Sequence, residues 1–164
     1  MARPLWNCPR CGRSFANPNQ THTCARLGDI ETHFAGSDPA VRAAFDRILA
    51  ALGPLEVLAE KSRIALHVRM SFAAFMPRRH WLDGHLVLAE RAGHPAFRRI
   101  EVFSPRNVLH AFRLAGPDDV DDDFVRLARA AYRVGEQRHL SPARRRDRPD
   151  EAPTDTSTGG APRG

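Results

Sequence analysis

The sequence predicts an α+β fold: an antiparallel meander sheet of five or six strands covered by two helices, with a small zinc knuckle at the N-terminus. Three observations carry that expectation. All three cysteines fall between Cys8 and Cys24, in CPRCGRSFANPNQTHTC. Residues 55–114 show two-residue periodicity broken by short turn-forming links. Segments of helical period stand on either side of them, at 39–52 and 120–138.

The knuckle comes first. Cys8 and Cys11 are two apart on a Pro-Arg turn followed by Gly12, and the chain then returns to His22 and Cys24. A tight Cys-x2-Cys turn aims two sulfurs to one side, and an imidazole with a third thiolate completes a tetrahedron around zinc. A disulfide framework normally has an even number of cysteines in a secreted chain. A thioredoxin-like pair sits between a strand and a helix, and this one does not. The predicted ligands are therefore Cys8, Cys11, His22 and Cys24, with His33 as the reserve fourth ligand. Residues 5–26 bring only Leu5, Trp6 and Phe15 to bury, too little apolar surface to offset chain ordering without a metal. Four protein ligands leave no open position, so the expected zinc is structural.

Length and composition set the outer bounds. The chain has 164 residues and is 42% hydrophobic, which suits one ordinary core with a small appendage. No apolar run approaches the roughly 18 residues of a membrane span. The opening MARPLWNCPRC has no signal-peptide core, so a reducing cytoplasm is the expected compartment. The net charge of +6 invites a nucleic-acid reading. Lysine occurs only at Lys61, however, and the arginines are scattered between acidic stretches, which resembles a coding bias more than a polyanion surface.

Residues 27–34 read as a short connecting turn or helix. Ser37-Asp38-Pro39 then starts a helix, with a capping side chain and proline in the first turn. Val41, Phe45, Ile48, Leu49 and Leu52 form its apolar stripe, and Gly53-Pro54 ends it. Ile64, Leu66, Val68 and Met70 then alternate with Arg63, Ala65, His67 and Arg69, an apolar row and a basic row on opposite faces of one strand. Further strands are expected at 55–60, 71–76, 82–90, 98–104 and 108–114. Pro77, Asp83-Gly84, Gly93 with Pro95, and Pro105 with Asn107 supply turn chemistry. Links this short favour a meander, because parallel strands need long crossovers. Asp118 to Asp123 place five carboxylates where the second helix begins. Their offsets do not fit an EF-hand loop, and capping of the helix start explains them. From Ser141 the composition turns to Pro, Arg, Asp, Thr and Gly, too polar to order itself. The expected organisation is a knuckle at 1–26, an α+β domain at 27–140 and a disordered tail at 141–164.

CPRCGRSF, HF in the linker, KSRIALHVR, WLDGHLVL, FSPRNVLHAFRL and a closing helix with AAY together resemble a bacterial family of uncharacterised proteins. In that family a zinc-knuckle-like segment precedes a small α+β domain of unknown function. The resemblance covers residues 5–140 and implies those boundaries. It carries over no substrate and no catalytic residue.

Two constellations in the core remain. His80, Asp83 and His85 have the residue types of an acid-base or metal set, against the simpler reading of two solvent histidines flanking an Asp-Gly turn. Lys61, Arg63, His67 and Arg69 offer a basic row for an anion, against a solvated face paired to Glu60, Glu90 or Glu101. The chain has no phosphate-binding glycine loop, Gly-x-Ser-x-Gly or His-Glu-x-x-His. The leading expectation is a non-enzymatic zinc module that recognises a protein or nucleic acid partner. The rival is a small-molecule or enzymatic core holding an anion on Arg63 and Arg69, with His67 or His110 as proton carrier.

Overall fold

The computed structural model describes residues 3–22 and 24–140. The tail expected at 141–164, with its arginine run, lies outside the described residues. Two short strands, β1 (Trp6–Asn7) and β2 (Ser14–Phe15), are followed by helices α1 (Ile30–Phe34) and α2 (Pro39–Ala50). A six-stranded antiparallel sheet follows: β3 (Glu56–Ala59), β4 (Ile64–His67), β5 (Ser71–Pro77), β6 (Leu82–Leu88), β7 (Phe97–Ser104) and β8 (Asn107–Leu114). Helix α3 (Asp122–Gly135) closes the fold. No helix among the described residues is long and apolar enough to cross a membrane.

The α+β prediction holds, with a change in strand order. The sheet runs β3-β4-β5-β6-β8-β7, so the meander ends at β6 and β8 lies inside β7. Strand polarity explains the exchange. Strand β8 alternates cleanly, with Val108, Phe112 and Leu114 buried, whereas β7 carries Arg98, Arg99 and Glu101, side chains suited to an edge that discourages further pairing. The link from Leu88 to Phe97 is long enough to step over one strand, about 10 Å for two strand spacings.

The apolar stripes meet in one core. Val41, Phe45 and Ile48 of α2 and Phe124, Leu127 and Ala131 of α3 join Ile64, Leu66, Phe75, Leu86 and Phe112 of the sheet in a single buried cluster. Phe45 meets Phe75 edge-on at 5.1 Å, and Phe112 meets Phe124 in the same way at 5.2 Å, a favoured aromatic geometry. The two helix starts differ. Asp121 caps α3 by accepting from the Phe124 amide at 2.8 Å, as the carboxylate cluster predicts. Asp38 makes no side-chain cap on α2, because its carboxylate instead accepts from His80 Nδ1 at 2.7 Å and ties the helix start to the β5–β6 turn.

Asp83-Gly84 is not a turn. Both residues lie within β6, where Asp83 pairs with Met76 and Arg113 and Gly84 with Phe75 and Phe112. A Cβ at Gly84 would collide with the Phe112 ring and the Ala74 carbonyl oxygen, so glycine is there to let a ring cross the strand. Gly84→Ala is therefore expected to destabilise the sheet by about 1–3 kcal/mol, the usual range for overpacking. A chemical denaturation midpoint equal to that of the wild type would show instead that Phe112 moves aside freely.

Candidate metal centre

The knuckle is built locally. Trp6 pairs with Phe15 and Asn7 with Ser14 across β1 and β2, and the turn between them carries Cys8 and Cys11. Gly12 has φ +71°, which glycine adopts without a steric penalty, and its amide donates to the Cys8 carbonyl at 2.8 Å. The Cys8 amide donates to the Arg13 carbonyl at 2.9 Å and closes the turn. The following loop returns His22 and Cys24 to the same place, with His22 against Phe15 at a ring separation of 4.1 Å.

The ligand atoms of Cys8, Cys11, His22 and Cys24 all lie within 4.8 Å of one another. Cys8 Sγ is 3.8 Å from Cys24 Sγ, while His22 Nε2 is 3.3 Å from Cys11 Sγ and 3.2 Å from Cys24 Sγ. A tetrahedron with metal–sulfur bonds of about 2.3 Å has sulfur–sulfur edges of about 3.8 Å and sulfur–nitrogen edges of about 3.6 Å. The thiol–thiol edge matches and the two imidazole edges are slightly short, so the donor set fits one tetrahedral ion. His22 Nδ1 is 2.6 Å from the Gln20 carbonyl oxygen. Because a carbonyl can only accept, Nδ1 carries a proton, and this fixes the ring so that Nε2 is the nitrogen aimed at the thiols and available to a metal.

The electrostatics favour a thiolate at Cys11. Its pKa is lowered to about 6, first by the backbone of Arg13, with further hydrogen bonds from the Arg13 and His22 side chains and opposition from burial. Burial and the neighbouring thiols push Cys24 up. His33, the reserve ligand, is not in the cluster. It belongs to α1, a helix capped by Asp29 accepting from the Glu31 amide at 3.1 Å, and lines a cleft beside the knuckle.

The structure does not assemble the basic row on one exposed face. Strand β4 covers only Ile64–His67, all four residues buried, so Lys61 and Arg63 precede it and Arg69 follows a bulge at its end. Arg63 pairs with Glu60 at 2.7 Å, and Arg69 binds the Gln137 side chain at 3.2 Å and the Arg3 carbonyl. His67 is 2% exposed because the knuckle covers it. Its Nε2 donates to the Ser14 carbonyl at 3.0 Å, its Nδ1 meets the Ser71 hydroxyl at 3.2 Å, and its ring stands edge-on to Phe15 at 5.8 Å. A residue expected to face an anion is thus the latch between knuckle and sheet. The period-two pattern misses this because solvent is not what lies over the second face.

A family model described as "Domain of unknown function (DUF5655)" matches residues 30–135, well over half the chain. The chain belongs to that family. No curated protein and no solved structure matches it. The DUF5655 match starts at the first residue of α1 and ends at the last residue of α3, so all four members of the Cys/His cluster precede it.

Within the DUF5655 region His80, His94 and His110 have structural partners. His80 binds Asp38, whereas Asp83 receives Arg113 at 2.8 and 3.2 Å together with the Trp81 indole at 3.3 Å. Burial works against the Asp83 carboxylate, but Arg113 outweighs it and holds the carboxyl below its ordinary range. His85 shares the second sheet face with Asp83, between Ala74 and Ala111, but the Asp83 carboxylate is taken by Arg113 and Trp81 and His80 is held at Asp38, so the three do not form one set. His110 is fully buried, with Nδ1 donating to the Val108 carbonyl at 3.0 Å and Nε2 accepting from the Ala92 amide at 3.0 Å. Both proton carriers of the rival reading, His67 and His110, therefore have both ring nitrogens engaged. His94 came from no sequence motif: Asp121 and the Ala96 amide hold it between the β6–β7 link and α3.

Proposed function

We propose that this DUF5655 protein is a non-enzymatic binding module whose knuckle holds one structural zinc ion through Cys8, Cys11, His22 and Cys24. The observation that carries the reading is the convergence of three thiols and an oriented imidazole within 4.8 Å, on a segment with very little core of its own. Zinc would supply a closed tetrahedral crosslink there. Gln20 orients the imidazole, Arg13 stabilises the Cys11 thiolate, and Ser14 and Phe15 transmit the order of the knuckle to His67 of the sheet. A reducing compartment such as the cytoplasm would keep the thiols available. The histidines already bound to backbone and carboxylates favour recognition of a partner, protein or nucleic acid, over acid-base chemistry.

Metal analysis of protein purified under reducing conditions tests the reading, with about one equivalent of zinc per chain as the expected result. A metal-free wild type that keeps protected amides in residues 6–15 would sink it.

A further inference from the structure

A cleft of about 800 Å³ opens between the linker leaving the knuckle, helix α1 and the β3–β4 turn. The Gly28 amide donates to the Ala59 carbonyl at 2.8 Å and pins the linker along the edge of the sheet. Four cationic side chains line this space: Arg13 from the knuckle, Arg26 from the linker, and Lys61 and Arg63 from the turn. Two carboxylates face them, and both have work elsewhere. Asp29 caps α1, and Glu60 holds Nε of Arg63 at 2.7 Å. Arg26 and Lys61 have no acidic partner among the described residues, and the terminal amino groups of Arg63 are uncommitted there. The hydroxyls of Thr32 and Ser62 add donors to the same walls.

The geometry points to a binding site for a small phosphorylated ligand in this cleft. A phosphate monoester carries a charge of about −1.5 to −2 at neutral pH and three strong acceptor oxygens, which suits Arg26 and Lys61, the two lining cations without an acidic partner among the described residues, better than one carboxylate does. Cations that arrive from three separate segments can surround a tetrahedral anion from several sides, and guanidinium groups bind it through paired donors. The volume lies in the usual range of small-molecule sites, roughly 300–1,000 Å³. The site keeps Lys61 and Arg63 from the expected anion row and replaces His67 and Arg69 with Arg13 and Arg26. The inference rests on the zinc reading, because the ordered knuckle supplies Arg13 and the start of the linker.

Titration of the zinc-replete chain with inorganic pyrophosphate, followed by calorimetry, tests the site. Saturable binding is expected, weakened at least about tenfold in an Arg26→Ala, Lys61→Ala double variant and unchanged in Arg126→Ala, an exposed arginine of α3 that does not line the cleft. Zinc content should be the same in all three. No binding to a wild type with full zinc would overturn the cleft assignment and leave the metal reading standing. Tighter binding of a short oligothymidylate, lost in the same double variant, would overturn the small-ligand assignment in favour of a nucleic acid strand. Equal weakening in Arg126→Ala would show only diffuse charge and would also overturn it. A wild type without zinc would refute the metal reading separately, and its pyrophosphate titration would still decide the cleft.

Discussion

Replacing Cys11 with serine is expected to cost the protein its metal and the order of residues 5–16, while the six-stranded sheet stays folded. Cys11 is the thiol held lowest, at about 6, so at neutral pH it is the ligand already ionised for metal. Without it, the knuckle keeps two strands of two residues each and a Trp6–Phe15 contact at 6.1 Å. Ordering a residue costs roughly 1–2 kcal/mol of backbone entropy, and such contacts cannot offset that sum. A structural zinc site supplies on the order of 10–16 kcal/mol. The sheet depends on the knuckle only through its second face. Losing the Ser14 carbonyl leaves His67 Nε2 without its protein partner, a cost of about 1–3 kcal/mol if the site stays dry. Hydrogen exchange should therefore show fast amides in 6–15 and still-protected amides in β5, β6 and β8, with a lowered melting temperature. Loss of zinc with unchanged protection of the knuckle would refute the claim that metal holds it.

The second large effect is on acid stability. Burial, with the Arg63 charge close by, lowers the His85 pKa from its ordinary 6.5 to about 4. The sign follows from where the proton binds. Between these two values the unfolded chain takes up a proton that the folded chain refuses, so stability is fully present above about 6.5 and declines as pH falls toward 4. Below that both states are protonated and the decline ends. The shift corresponds to at most about 3 kcal/mol, at 1.36 kcal/mol per pKa unit. His110, also held low by burial, acts in the same direction. Metal loss at acid pH affects the wild type and a His85→Gln variant alike, so the difference between them isolates this imidazole. Urea melts at pH 7 and pH 4 should show the stability of the wild type, relative to His85→Gln, falling by up to that amount. A difference independent of pH would mean that His85 titrates normally.

The elements and the ligand set were open to sequence reasoning because both have short-range signatures. Cys8, Cys11, His22 and Cys24 lie within 17 residues, and a turn with one positive-φ glycine suffices to gather them. Val41, Phe45 and Ile48 repeat at the period of the helix they form, and Asp121 caps the helix that begins beside it. What was not open to it depends on pairs far apart in the chain. Ser14 meets His67 across 53 residues, and no periodicity of either segment records that meeting. The alternation around Ile64 correctly states which side chains share a face, but it cannot state whether water or a knuckle lies over that face.

By itself, then, the sequence determined the α+β class, the two long helices, the strands and the cysteine-histidine set, since each follows from local spacing and side-chain chemistry. Only the tertiary structure decided that β8 lies inside β7 and that Gly84 makes room for Phe112. It also turned His67 from a surface cation into a buried latch and moved His33 from the metal to a basic cleft. Those outcomes depend on which apolar surfaces find each other, because burial free energy is non-directional and any strand face or loop of suitable shape can supply the cover.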